Sequence, residues 1–315
     1  MGQAVLKVDN DTINKIRAFY EDHLVEPTPP GAAYRAKTDH CAITAYNSGK
    51  VLFQGKKAEE EVKRWQALSN TTPLTSKSQR SKKSVDAHDY RPPEQLRQLS
   101  IIGSDEVGTG DYFGPITVCA VYSRPEDGEW LKALGVRDSK TLTDAKMQSI
   151  VSDITSKVVY SLLILPNEKY NRLVAKGYSQ TKIKAILHHH VLLNVLKKAD
   201  GKPIDGCLID QFVKPESYFK AIAGESESIS RPLYFLTQAE NAHPSVACAS
   251  IIARCAFIRE IERLSKLSGR DLPKGAGAGV DQAAAELIRE KGVSFLNQVA
   301  KVHFANTAKA RRLAE

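Results

Sequence analysis

A polar break at residues 70–97 constrains this chain more than any other feature. Of its 28 residues (NTTPLTSKSQRSKKSVDAHDYRPPEQLR) five are apolar, six are Lys or Arg and three are Asp or Glu. Such a stretch cannot bury enough apolar surface to offset the entropy of ordering it, and it reads as a flexible linker. The segments on either side must then build separate cores. Domains at 1–69 and 98–315 are expected, and a length of 315 residues suits two of them.

Charge adds less than its total suggests. The formal net charge is +9, divided as +4 before residue 98 and +5 after it. No segment forms a basic tail, so the surplus reads equally as a solvated surface or as the footprint of a polyanionic partner. No apolar run approaches the roughly 18 residues that span a bilayer. The opening MGQAVLKVDND lacks a secretory signal pattern, so a cytoplasmic location is expected. Five cysteines (Cys41, Cys119, Cys207, Cys248, Cys255), an odd number with no C-x-x-C, point to reduced, buried thiols rather than disulfides or a zinc site.

Before the break, QAVLKV reads as a strand. A helix capped near Asp9 follows, with Ile13, Ile16, Tyr20 and Leu24 spaced three or four apart. Three strand-like runs come next, AAYRAKT, CAITAY and KVLFQG, and Asn47-Ser48-Gly49 turns the last two into a hairpin. A helix from about Lys57 to Leu68 closes a small α+β module. After the break come the strands SIIGSDEV and PITVCAVYS, a helix near 143–157, and the strand VVYSLLILP. A helix at 180–198 follows, then the short apolar strands CLIDQF and PLYFLT, and a long helix from Pro244. Two helices near 281–290 and 294–302 finish the chain. The order predicts an α/β domain whose mixed sheet is flanked by helices.

The chemistry concentrates in IIGSDEVGTGDYFGP, residues 101–115. Neighbours on a strand point to opposite faces, so one of Asp105 and Glu106 heads toward the interior. A carboxylate there needs a partner, and a divalent cation is the economical one. A frayed strand end with two exposed acids is the equal alternative. Gly108, Gly110 and Gly114 give G-x-G-x-x-x-G followed by a proline and a strand, which excludes a Rossmann phosphate site. Bare backbone there can still approach a sugar–phosphate chain. Asp210 ends a second apolar strand and Glu240 follows a third. Four carboxylates converging on one sheet edge would provide the oxygen ligands that phosphoryl hydrolysis with divalent ions requires.

These segments, with DSKTLT at 138–143, LIDQF at 208–212 and ASIIAR at 249–254, closely resemble the bacterial ribonuclease HIII family of type 2 ribonucleases H. The similar ribonuclease HII pattern has Arg where this chain has Thr109. The resemblance covers about residues 98–310, and the first 70 residues resemble the family's N-terminal extension, half of a TATA-binding protein. It implies a ribonuclease-H-like fold and an endoribonuclease that cuts the RNA strand of RNA–DNA hybrids. It implies two Mg²⁺ or Mn²⁺ ions, one activating water and one stabilising the departing 3′ oxygen, with 5′-phosphate and 3′-hydroxyl ends left behind. Carried over by residue, Asp105, Glu106 and Asp210 are the metal ligands and Glu240 is the fourth catalytic acid. Gly108, Thr109 and Gly110 match the loop that meets ribose 2′-hydroxyls, and Ser139 and Lys140, after Asp138, match a motif placed at the substrate. A monomer bound to a hybrid duplex is expected, with the first domain gripping the duplex through its backbone. An HII-like nickase at single embedded ribonucleotides and a non-catalytic nucleic-acid-binding protein are the alternatives.

Other motifs read as structural. Three consecutive histidines, His188 to His190, spread about 100° apart around a helix and cannot chelate one ion. His243 precedes Pro244 at a helix start. Lys274-Gly275-Ala276-Gly277-Ala278-Gly279 lacks the G-K-[ST] of a phosphate loop and reads as a turn into a helix. Cys248 and Cys255 share one helix face and read as core.

Overall fold

The computed structural model describes residues 3–26, 28, 31–55, 57–66, 88–136 and 144–315, and the chain divides into two compact units, 1–84 and 85–315. In the first, β1 (Gln3–Lys7), α1 (Asn10–Phe19), β2 (Ala32–Lys37), β3 (Cys41–Tyr46), β4 (Lys50–Gly55) and α2 (Ala58–Gln66) follow in order. The Asp9 carboxylate accepts from Thr12 N at 2.8 Å, satisfying an amide at the start of α1. The strands pair antiparallel in the order β1-β4-β3-β2. Alternate strand residues such as Leu6, Ile43 and Phe53 share one core with Ile16 of α1 and Trp65 of α2. Both helices therefore cover the same face of the sheet, as expected for half of a TATA-binding-protein fold.

The second unit contains β5 (Ile101–Val107), β6 (Ile116–Ser123), α3 (Gly128–Ala133), α4 (Asp144–Lys157), β7 (Val159–Leu165), α5 (Asn167–Ala175) and α6 (Gln180–Lys198). It continues with β8 (Gly206–Asp210), α7 (Pro215–Ile222), β9 (Leu233–Leu236), α8 (Pro244–Ser268), α9 (Ala278–Lys291), α10 (Leu296–Val299) and α11 (Ala305–Ala314). The sheet order is β7-β6-β5-β8-β9. β5, β6 and β7 pair antiparallel, whereas β5, β8 and β9 run parallel. Ile102, Cys207 and Ile209 pack toward Val191 and Val195 of α6 on one face. Cys119 and Val121 pack toward Cys248, Ile251 and Ile252 of α8 on the other. The expected mixed sheet between helices is present. All five cysteines are free and buried, and no helix among the described residues is long and apolar enough to cross a membrane.

The expected linker extends too far. Residues 67–87 lie outside the described residues, but 88–97 are built onto the second unit. Phe235 N on the edge strand β9 donates to Tyr90 O at 2.9 Å. The Tyr90 ring lies 5.0 Å from that of Phe219, and Leu96 is buried. A few aromatic and apolar anchors among prolines suffice to cover a sheet edge, although their average composition reads as polar. The expected helix at 294–302 shrinks to α10, because Ala300 leaves it to bridge Phe113 and Lys301 turns inward. Helices α3, α5, α7 and α11 have no counterpart in the sequence reading. They are short, and α11 buries small or polar residues (Asn306, Thr307, Ala310) rather than an apolar stripe.

Gly103 sets the distance between β5 and α8. A Cβ there would lie 2.3 Å from Ser245 Oγ and 2.6 Å from Val246 N, so the helix start rests directly on strand backbone. Gly103→Ala should destabilise the second unit by about 1–3 kcal/mol through overpacking. Chemical denaturation should read this as a lower midpoint at unchanged slope.

Candidate active site

Three parallel strands end along one edge of the sheet, where ligands of α/β folds bind. The β5–β8 register pairs Ser104 with Ile209, so the next residues, Asp105 and Asp210, stand side by side. Both belong to the strand face that α8 covers, as do Gly103 and Leu208. Asp105 Oδ1 accepts from Glu106 N at 2.7 Å, and its side chain also bonds Ser250 of α8. Asp210 Oδ1 accepts from Ala239 N at 2.8 Å. Ala239 opens the 3₁₀ turn Ala239–Asn241 that follows β9, and this turn carries Glu240, which is buried. Burial, then the charges of Asp210 and Glu106, push the Asp105 carboxyl well above the usual carboxylate range. Burial, with Glu240 and Glu106 adding to it, pushes Asp210 up to about 6.

Glu106, one residue on, faces α6. Its Oε1 accepts from Lys184 Nζ at 2.8 Å and its Oε2 from His188 Nε2 at 2.9 Å. Burial alone would raise this carboxyl, but the bonds and charges of His188 and Lys184 outweigh it and hold the group at about 2. His188 Nδ1 lies 2.9 Å from Ser104 Oγ, and its ring stacks on Phe212 at 5.1 Å.

Among the described residues, no three His, Cys, Asp or Glu side chains already surround one metal-binding point. Strand alternation explains this, since it sends Glu106 to the α6 face and leaves Asp105 and Asp210 on the α8 face. The donor chemistry still fits a hard divalent cation. Every candidate ligand is a carboxylate oxygen, and Asp105 and Asp210 carry a burial and repulsion cost that a bound cation would offset.

The glycine loop beside these acids is rigidly braced. Gly108 has φ +95°, and a Cβ on it would meet Pro115 O at 2.2 Å, so only glycine fits. Around Gly110 there is open space. Thr109 O accepts from Gln180 Nε2 at 2.9 Å. Asp111 Oδ1 accepts from Gly275 N at 2.6 Å, and Tyr112 N donates to Gly275 O at 2.8 Å. The 274–279 segment thus ties down this loop and leads into α9. Lys301, fully buried, donates to Asp111 O at 2.8 Å and to Gly114 O at 2.6 Å. Burial lowers its pKa to about 7.

Asp138, Ser139 and Lys140 lie outside the described residues. His190 and His189 pair with Glu225 and Glu227 O, away from the acids. His243 caps α8, with Nδ1 accepting from Ser245 N and Nε2 directed at Leu99 O, and burial lowers its pKa to about 4. Cys248 and Cys255 are core. The sequence reading missed Lys184, His188 and Lys301. The first two carried a usable signal, a Lys and a His four apart on one helix face.

Asp210 offers a test of this electrostatic picture. A carboxyl whose folded pKa is raised gives up stability as pH climbs from about 4 through about 6. Asp210→Asn, which never ionises, should therefore stabilise the chelator-treated protein by roughly 1–3 kcal/mol at pH 8. The gain should fade as pH falls below 6. Melting curves across pH would show it, and a gain that grows toward acid would contradict the picture.

Comparison with known proteins converges with this geometry. A family model described as Ribonuclease HII matches residues 102–307, and one described as Domain of unknown function (DUF3378) matches residues 3–78. Ribonuclease HIII of Bacillus pumilus is 49% identical over 312 residues, covering 99% of each chain. Ribonuclease HIII of Bacillus licheniformis is 49% identical over 314 residues, covering 100% of this chain and 99% of its own. Among solved structures, Bst-RNase HIII in complex with Mn²⁺ aligns with a TM-score of 0.67 at 41% identity, covering 100% of this chain and 99% of that one. The ribonuclease H2 of Pyrococcus horikoshii, at 22% identity and TM-score 0.57, shares the fold over 69% of this chain. With its carboxylates at the parallel strand ends and its antiparallel N-terminal module, the chain belongs to the ribonuclease HIII family of endoribonucleases.

Proposed function

We propose that this chain hydrolyses the RNA strand of RNA–DNA hybrids, with Asp105, Glu106, Asp210 and Glu240 as its catalytic carboxylates. The adjacency of Asp105 and Asp210, each one residue beyond the last β5–β8 pair, carries the reading. It concentrates buried negative charge where a hard dication is the fitting compensation, and it lies beside a rigid glycine loop. Asp105, Asp210 and Glu106 would hold the metal. Two Mg²⁺ or Mn²⁺ ions held by these residues would supply Lewis acidity for phosphodiester hydrolysis that leaves 5′-phosphate and 3′-hydroxyl ends. The Ala239 amide and the Ser250 side chain keep Asp210 and Asp105 oriented. In Gly108-Thr109-Gly110, the open space beside Gly110 would let a ribose 2′-hydroxyl approach the backbone closely. Ser139 and Lys140 are proposed as substrate-binding residues on the DSKTLT motif alone.

The proposed division of labour places the cutting residues in the second unit and duplex grip in the first. Support for the grip comes from the sheet face opposite α1 and α2, which carries Lys7, Lys37 and Lys50. Lys7 stands directly across from Lys50. Like charges in that position cost stability, and a polyanion would relieve the cost. In this reading the protein works in the cytoplasm as a monomer.

Asp105→Asn should lower Mn²⁺- or Mg²⁺-dependent cleavage of a long hybrid by roughly 10²–10³-fold, the scale of losing one preorganised electrostatic group. Equal rates would refute the catalytic assignment, and efficient nicking of a duplex with a single ribonucleotide would favour the HII-like alternative. Replacing Lys7, Lys37 and Lys50 together by Ala should weaken hybrid binding and reduce its log–log salt slope by up to about 3. An unchanged slope would remove the first unit from the grip.

A further inference from the structure

Glu106 is held from two sides by one helix. Lys184 and His188 lie four apart on α6 and each takes one carboxylate oxygen, at 2.8 and 2.9 Å. The two differ in what stands behind them. His188 is fully buried, stacked on Phe212 and bonded to Ser104 Oγ, so its ring cannot swing away without breaking a packed interior. The Lys184 ammonium sits on a flexible stem, 4.1 Å above the Phe212 ring, with its side chain 13% exposed. One contact is locked into the interior, and the other ends a long flexible stem at the edge of solvent.

Resting on the reading that Glu106 ligates a divalent cation, we propose that Lys184 and His188 are opposed positioning residues that set the enzyme's metal affinity. His188 holds Oε2 in one orientation and so pays in advance the ordering of the ligand. Carboxylates that ligate a metal are ordinarily held in place by hydrogen bonds from groups behind them. Lys184 occupies Oε1 with a positive charge, and a cation approaching that oxygen must displace the ammonium and overcome its repulsion. The pair makes Glu106 ready in shape yet guarded in charge. A chain built this way takes up metal only when the ion is abundant enough, or when an arriving polyanion draws the ammonium off.

The experiment is Mn²⁺ binding to the full-length protein without nucleic acid, read by electron paramagnetic resonance of the free ion. Wild type is compared with Lys184→Met, His188→Ala, His188→Gln and Asp105→Asn. Lys184→Met, which keeps the packing on Phe212 without the charge, should tighten Mn²⁺ binding about tenfold. His188→Ala should weaken it about tenfold, and His188→Gln, whose amide can still donate to Glu106, should recover most of the loss. A general loss of structure cannot move the two residues in opposite directions, and unfolding midpoints in chelator identify any variant that fails to fold. If His188→Ala does not fold, Lys184→Met and His188→Gln carry the test. Unchanged or weakened binding in Lys184→Met would overturn the proposal. Tight wild-type binding that Asp105→Asn does not alter would instead overturn the metal reading, and this inference with it.

Discussion

Two parallel strands paired in register place two carboxyl groups side by side in a buried sheet edge, and much of the second unit responds to that placement. Desolvation and mutual repulsion disfavour both charges. The surrounding structure supplies what a protein can supply without a cation: an amide from the Ala239 turn for Asp210 and a hydroxyl-bearing helix residue for Asp105. Gly103 allows α8 to come close enough to deliver that residue. A fold that sought stability alone would put Leu or Val at these strand ends, as it puts Leu208 two residues before Asp210. Retaining the acids costs stability, and that cost is intelligible as a site for positive charge.

Much of this was legible from residue types. Apolar alternation and turn chemistry placed the nine strands of the described residues, because each is short, largely apolar and flanked by Gly, Pro or Asn. Asp105, Asp210 and Glu240 stood out because a charged residue at the end of a continuous apolar run breaks the pattern around it. The linker boundary was legible only in part. Tyr90 and Leu96 anchor residues 88–97 to the edge strand, and two anchors in ten residues do not change the average that a composition argument reads.

What stayed hidden depended on long-range partners. Three consecutive histidines read as one group in the sequence. Yet His188 differs from His190 by 200° around the helix, and only the fold shows that one faces Glu106 while the other meets Glu225 at the surface. Lys301 is a harder case. A lysine near the end of a short helical pattern reads as solvent-exposed, and nothing local announces that its ammonium ends among backbone carbonyls 190 residues earlier in the chain. Strand alternation had predicted that Asp105 and Glu106 part company. The adjacent acids of this D-E pair therefore face two sides of the sheet, with different electrostatic surroundings.

The glycine loop has a thermodynamic meaning of its own. Gln180, Gly275 and Lys301 fasten residues 109–114 from three separate elements, and Gly108 packs its backbone against Pro115 O and the Phe257 ring. A segment already held in one conformation has little chain entropy left to lose when something docks on it, so favourable contacts there appear almost undiminished in the free energy of association. The same stiffness acts against a poorly shaped ligand, which meets a backbone unable to bend toward it. Selectivity in such a loop comes from its immobility, and a buried ammonium ion far along the chain helps provide it.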